Sequence, residues 1–159
     1  MVMNPKIDLA AIPVKTGTGY PKRFHQVNGN IPARSHQPVS RGLEAFGANR
    51  CVLPPGAASS LRHWHTHEDE LVIVFSGELV MLTDEGATAM GPGDIASFPK
   101  GDTNAHCFVN RGTEPAVFFA IGNNHPDDEC FYPDVRMRAK SWNQGGGAVS
   151  LDTGEPYPD

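Results

Sequence analysis

Between residues 47 and 122 the chain alternates apolar and polar positions at the two-residue period of strands, with a turn signal after every few residues. Arg50-Cys51-Val52-Leu53 runs into the turn Pro54-Pro55-Gly56. Ser60 to His65 reads as a strand that ends in the polar stretch Thr66 to Asp69. Leu71 to Phe75 is a strand, Gly77 breaks it, and Glu78 to Thr83 continues it. Asp84-Glu85-Gly86 is a hairpin turn. Thr88 to Met90 is short, and Gly91-Pro92-Gly93 turns the chain again. Ile95 to Phe98, Ala105 to Val109 and Pro115 to Ile121 complete a set of about eight strands, the pattern of a sandwich or barrel. No segment carries a helical period.

Leu71 to Phe75 is apolar on both faces. Val72 and Val74 should line the interior. Leu71, Ile73 and Phe75 then need cover from a second sheet, an arm or another subunit, and this predicts a homodimer. Residues 1–40 are rich in Pro, Gly and polar side chains and read as an extended N-terminal arm across the core or a partner. Residues 41–122 form the core of a single domain. Residues 123–159 are a polar extension with a turn at Asn124 to Asp128, a short extended piece at Tyr132-Pro133-Asp134, a joint at Gly145-Gly146-Gly147 and a tail.

Composition agrees with an all-β chain. Seventeen glycines and fourteen prolines in 159 residues are too many for a helical bundle. A net charge of −5 lacks the basic stripe of a nucleic-acid surface. No apolar stretch approaches the roughly 18 residues of a membrane helix. Met1 to Tyr20 has no apolar leader core. Cys51, Cys107 and Cys130 are odd in number and far apart, which predicts reduced thiols in the cytoplasm.

The chemistry concentrates in His63-Trp64-His65-Thr66-His67-Glu68-Asp69-Glu70. Strand alternation puts His63 and His65 on one face, about 6.6 Å apart at Cα. The polar turn Thr66 to Asp69 lets the chain reverse, so Glu70 can share an inner face with Val72 and Val74. Downstream, His106 shares a face with Phe108 and Asn110 and offers a third imidazole. Three imidazoles and a carboxylate suit a divalent ion such as Zn, Mn, Fe, Ni or Cu. His67 is an alternative to His63, Asp69 an alternative to Glu70, and a solvated polar turn without metal is the plain reading of the whole segment. Trp64 should pack on the outer face, and Cys107 should be a small core residue. Arg62 and Lys100 suit solvated surface or a phosphate. Asn104 suits substrate or loop backbone, and Tyr132 and His125 a turn or a cap over the barrel mouth.

These residues resemble the two motifs of the cupin superfamily. Gly56, His63-x-His65, Glu70 and Gly77 follow the pattern G-x5-H-x-H-x3,4-E-x6-G, with six residues rather than five before His63. Gly93, Pro99-x-Gly101, His106 and Asn110 follow G-x5-P-x-G-x2-H-x3-N, with four residues rather than two before His106. The resemblance implies a double-stranded β-helix, the jelly-roll barrel, with His63, His65, Glu70 and His106 holding one divalent ion (Zn, Mn, Fe or Ni). The phrase Ser-Ser-Leu-Arg-His-Trp-His also resembles small bacterial cupins labelled sugar-phosphate isomerases.

The expected activity is therefore metal-dependent binding of a small polar or anionic metabolite, with isomerisation as one reaction and dioxygenation at Fe or Mn as another. A non-catalytic sensing module is the third. An isomerase also requires a base, and His67, Glu68 or a metal-bound hydroxide are its candidates.

Overall fold

Val72 and Val74 are sealed from solvent while Phe75, beside them, is 65% exposed, so the apolar strand has one core face and one bare face. A computed structural model describes residues 5–140 and 147–158. Its strands are β1 (Lys15–Thr16), β2 (Ser35–Pro38), β3 (Gly47–Leu53), β4 (Trp64–His65), β5 (Glu70–Ser76), β6 (Leu79–Thr83) and β7 (Gly86–Met90). They continue as β8 (Ile95–Phe98), β9 (Cys107–Val109), β10 (Ala116–Gly122), β11 (Glu129–Tyr132), β12 (Met137–Lys140) and β13 (Ala148–Ser150). The helical pieces among the described residues are 3-10 turns of three residues, at Leu9–Ala11, Lys22–Phe24, Ile31–Ala33 and Pro133–Val135.

One sheet has the order β1-β2-β3-β10-β5-β8, a second β13-β12-β11-β4 and a third β7-β6-β9. Among the described residues every strand pair is antiparallel. The fold is an all-β jelly-roll barrel. Register sets its inner face: Val74 lies opposite Phe118, Val72 opposite Ala120 and Ala96, and Glu70 opposite Gly122 and Phe98. Val72, Val74, Leu53, Phe108 and Phe118 form one buried cluster, and each such side chain contributes roughly 1.5–3 kcal/mol on full burial. Glu70 thus sits at the end of an apolar row, where strand geometry aims it inward.

Gly77 ends β5 as predicted, at φ +73°, and a Cβ there would lie 2.7 Å from Ala116 Cα and Pro115 O. Only glycine fits that close approach.

Two predicted segments differ. The strand expected over Ser60 to His65 shrinks to Trp64–His65, preceded by an isolated bridge between His63 and His106. Within that segment the Leu61 carbonyl accepts from His63 Nδ1 at 2.9 Å rather than from a neighbouring strand. The polar extension is also more ordered than its composition predicts. Residues 129–140 and 148–150 build the β13-β12-β11-β4 sheet, and Tyr157 Oη donates to Val135 O at 3.0 Å. The arm likewise adds β1 and β2 to the large sheet. Of the predicted glycine joint, Gly145 and Gly146 lie outside the described residues.

Candidate metal centre

His63, His65, Glu70 and His106 come from three chain segments, at β4, β5 and just before β9, and meet at one end of the barrel. One donor atom each from His63, Glu70 and His106 lie within 4.8 Å of one another. Glu70 Oε1 is 3.4 Å from His106 Nε2, and Glu70 Oε2 is 3.4 Å from His65 Nε2. The His63 ring lies 5.1 Å from that of His65 and 4.8 Å from that of His106, centroid to centroid. A separation of 3.4 Å is long for a carboxylate–imidazole hydrogen bond and close to the roughly 3 Å between adjacent donors around an ion bound at about 2.1 Å.

Second partners fix the tautomers of two rings. His63 Nδ1 donates to Leu61 O at 2.9 Å, so its Nε2 keeps a lone pair for the centre. Burial and the neighbouring charges of His106 and His65 push His63 down to about 3, so the ring is neutral near pH 7. His65 Nδ1 donates to Asp128 Oδ2 at 2.7 Å, which leaves Nε2 toward Glu70. Burial disfavours the His65 imidazolium, but the bonds to Asp128, Cys130 and Glu70 outweigh it, so without an ion a proton on Nε2 faces Glu70, and a bound ion would take that proton's place. Burial alone would also raise Glu70. Contact with His106 and His65 instead holds it well below the usual carboxylate range. A buried anion therefore faces imidazole nitrogens, and a cation between them fits the donor set. His106 is stacked on Phe98 at 3.4 Å, and its Nδ1 is buried without a hydrogen-bond partner among the described residues, so the protein leaves its tautomer free.

Asp128 organises this end. Its side chain is fully buried; Oδ1 accepts from His67 N at 2.9 Å and Glu68 N at 3.1 Å while Oδ2 holds His65. The carboxylate pins the turn that carries the chain from His65 to Glu70. Burial works against its charge, but the bond from His65 holds it down, at about 2. Cys130 and Tyr132 follow it on β11, with Cys130 Sγ 3.4 Å from His65 Nδ1 and the Tyr132 ring 5.7 Å from that of His63. From sequence Asp128 reads as part of a polar turn, Cys130 as a reduced thiol and Tyr132 as a turn residue or a cap over the barrel mouth, and none of the three as a partner of the histidines. The run Cys130-Phe131-Tyr132 carries a weak strand signal that would have put Cys130 and Tyr132 on one face.

The other candidates lie elsewhere. His67 is exposed and stacks on His125 at 4.8 Å. Asp69 is exposed and accepts from Lys100 N at 2.9 Å. Glu68 instead lines a cavity of about 630 Å³ that contains His63, His65, Glu70 and His106 in its wall. Burial and the hydrogen bond with Asp128 push the Glu68 carboxyl up to about 7. Arg62 binds Asp134 through both Nε and Nη2 and Asp84 through Nη1, an ion-pair network rather than open surface. Asn104 Oδ1 accepts from Asp84 N, a loop role. Asn110, fully buried, donates to Leu53 O and Glu114 O and so closes its own loop. Trp64 stacks on Phe131 at 4.8 Å, and Cys107 is buried, both as the alternation predicts.

Comparison with known proteins identifies the fold. Residues 49–122 match the family model described as Cupin domain. The chain is 40% identical to a sugar phosphate isomerase of the cupin superfamily from Silicibacter pomeroyi, with 97% of each chain covered and a TM-score of 0.86. It is 27% identical to a candidate sugar phosphate isomerase from Acidithiobacillus ferrooxidans, over 80% of this chain and 82% of that one, with a TM-score of 0.70. The polyketide cyclase RemF from Streptomyces resistomycificus shares the fold at 15% identity, over 79% of this chain and 84% of that one, with a TM-score of 0.61. A comparison with curated protein sequences finds no match.

Proposed function

We propose, from the premise that this chain belongs to the cupin superfamily, that His63, His65, Glu70 and His106 bind one divalent ion, Zn, Mn, Fe or Ni, and that the adjoining cavity takes a small polar or anionic metabolite. The observation that carries this reading is the placement of Glu70 between the Nε2 atoms of His65 and His106, 3.4 Å from each, with His63 alongside. The likeness at 40% identity to a sugar phosphate isomerase supports isomerisation of a sugar phosphate as the reaction. When bound, the ion supplies Lewis-acid polarisation of a carbonyl oxygen.

The chain's own residues must then carry a proton between adjacent carbons. Glu68 is placed for this: it lines the cavity, its side chain is only 12% exposed, and it is outside the proposed ligand set. His67 faces away from that cavity. The test is to follow aldose and ketose phosphates by NMR in heavy water with protein of known metal content. Interconversion should place solvent deuterium at the shared carbon, and Glu68→Gln should turn over more slowly at unchanged metal content. Oxygen consumption by the Fe form in place of interconversion would point to a dioxygenase, and neither reaction to a binding module.

Phe75 and Ile95, 65% and 62% exposed, form a bare apolar face on β5 and β8 that supports a homodimer. Analytical ultracentrifugation should give twice the 17.1 kDa chain mass, and a monomer at micromolar concentration would contradict the assembly. No helix among the described residues is long and apolar enough to cross a membrane. The three cysteines are unpaired thiols, which supports a reducing compartment such as the cytoplasm.

A further inference from the structure

The cavity has two chemically different ends. One is the histidine–glutamate centre. The other is built by the N-terminal arm, where Lys15, Arg34 and His36 line it. Strand register explains the placement. Lys15 pairs with His36, His36 with Cys51, and Cys51 with Phe118. Side chains paired across neighbouring strands share a face, so this row runs from the arm onto the inner face of the barrel. Cys51 and Phe118 line the same cavity.

The basic side chains at this end lack counter-charge. Arg34 Nη1 donates to Ser59 O at 2.7 Å and Nε to Gly17 O at 3.4 Å. Those carbonyls orient the guanidinium without neutralising it. Among the described residues neither Lys15 nor Arg34 is paired with a carboxylate. His36 Nδ1 is shut off from solvent and has no hydrogen-bond partner among them. Burial, then the charges of Arg34 and Lys15, hold His36 below its ordinary value, so the three groups sense one another. A guanidinium fork, a mobile ammonium and an imidazole facing one space suit the oxygens of a phosphate. A volume of about 630 Å³ is that of a small-metabolite site.

We propose that Lys15, Arg34 and His36 form an anion subsite that takes the phosphate of a small phosphorylated metabolite whose other end reaches the histidine–glutamate centre. The subsite itself stands on the arm residues, and only the placing of the far end rests on the metal reading. The arm is then a part of the binding site, and its residues select phosphorylated over neutral substrates.

The test titrates the full chain with inorganic phosphate at low ionic strength, by calorimetry, and separately with Zn and Mn. Wild type should bind one phosphate per subunit. Lys15→Met and His36→Gln should each weaken it about tenfold, the scale of one charge-assisted contact, and the double variant should lose it. Both should take up metal as wild type does. His63→Ala should still bind phosphate. Lys15 is exposed and in no side-chain hydrogen bond, so its variant folds whatever the structural part played by Arg34. No phosphate binding by wild type, or equal binding by the double variant, would overturn the subsite. Normal phosphate binding with no metal uptake by wild type would leave the subsite standing and remove the metal reading instead.

Discussion

Metal affinity should fall by more than about 100-fold when His63 or His106 becomes alanine, and should stay at the wild-type value in His67→Ala. The size follows from position. Loss of a group that merely orients a ligand typically costs 10–100-fold, so loss of a donor costs more. His63 and His106 each place a donor atom within 4.8 Å of the other and of Glu70. His67 points outward onto His125. Neither deletion should unfold the barrel, because His63 and His106 also pair through their backbones, N to O at 3.0 and 2.9 Å in the two directions, and these bonds survive the substitution. Isothermal titration with Zn and Mn, side by side, reads the difference. Weak binding by His67→Ala beside normal binding by His63→Ala would mean that the ligand pair is His65 and His67.

Asp128→Ala should lower metal affinity about 10–100-fold and cost about 3 kcal/mol of stability. Three N–H donors lose their acceptor at once, His65 Nδ1–H, His67 N–H and Glu68 N–H, and the Glu68 carboxyl loses its hydrogen bond as well. Two of these lie in the turn that aims Glu70, so His65 and Glu70 both lose their positioning. Asp128→Asn separates the two effects. Its amide oxygen can keep the two backbone bonds while its NH2 group faces His65 Nδ1. Two donors cannot share a bond, so the ring must move its proton to Nε2, where it blocks the lone pair aimed at the centre. The asparagine variant should therefore melt close to wild type and still bind metal poorly. Thermal denaturation with metal titration checks both, and normal metal uptake by Asp128→Asn would show that the tautomer is set by something else.

Much of this site was legible because strands have only two faces. Alternation alone put Val72 and Val74 inward and His63 with His65 on one side, and the polar stretch Thr66 to Asp69 gave the reversal that returns Glu70 to the inner face. What fixes that reversal was not legible. Asp128 reaches His67 and Glu68 across 61 and 60 residues of sequence, and no local pattern records such a contact. The same holds for the arm. Lys15 and Thr16 form a strand only because β2 lies beside them, and two residues leave no period to read. The polar extension hid its strands differently. Its positions Cys130, Tyr132, Met137 and Ala139 are buried, but Phe131 between the first two is apolar as well, so only Met137 to Lys140 alternates cleanly and four residues are too few for a period to stand out.

The proposed site holds one divalent ion per subunit between His63, His65, Glu70 and His106. Elemental analysis of untagged wild-type protein, reconstituted in turn with Zn, Mn, Fe and Ni and then desalted, tests it most directly. Close to one ion per chain is expected for at least one of these metals, and retention of none of them would rule the site out.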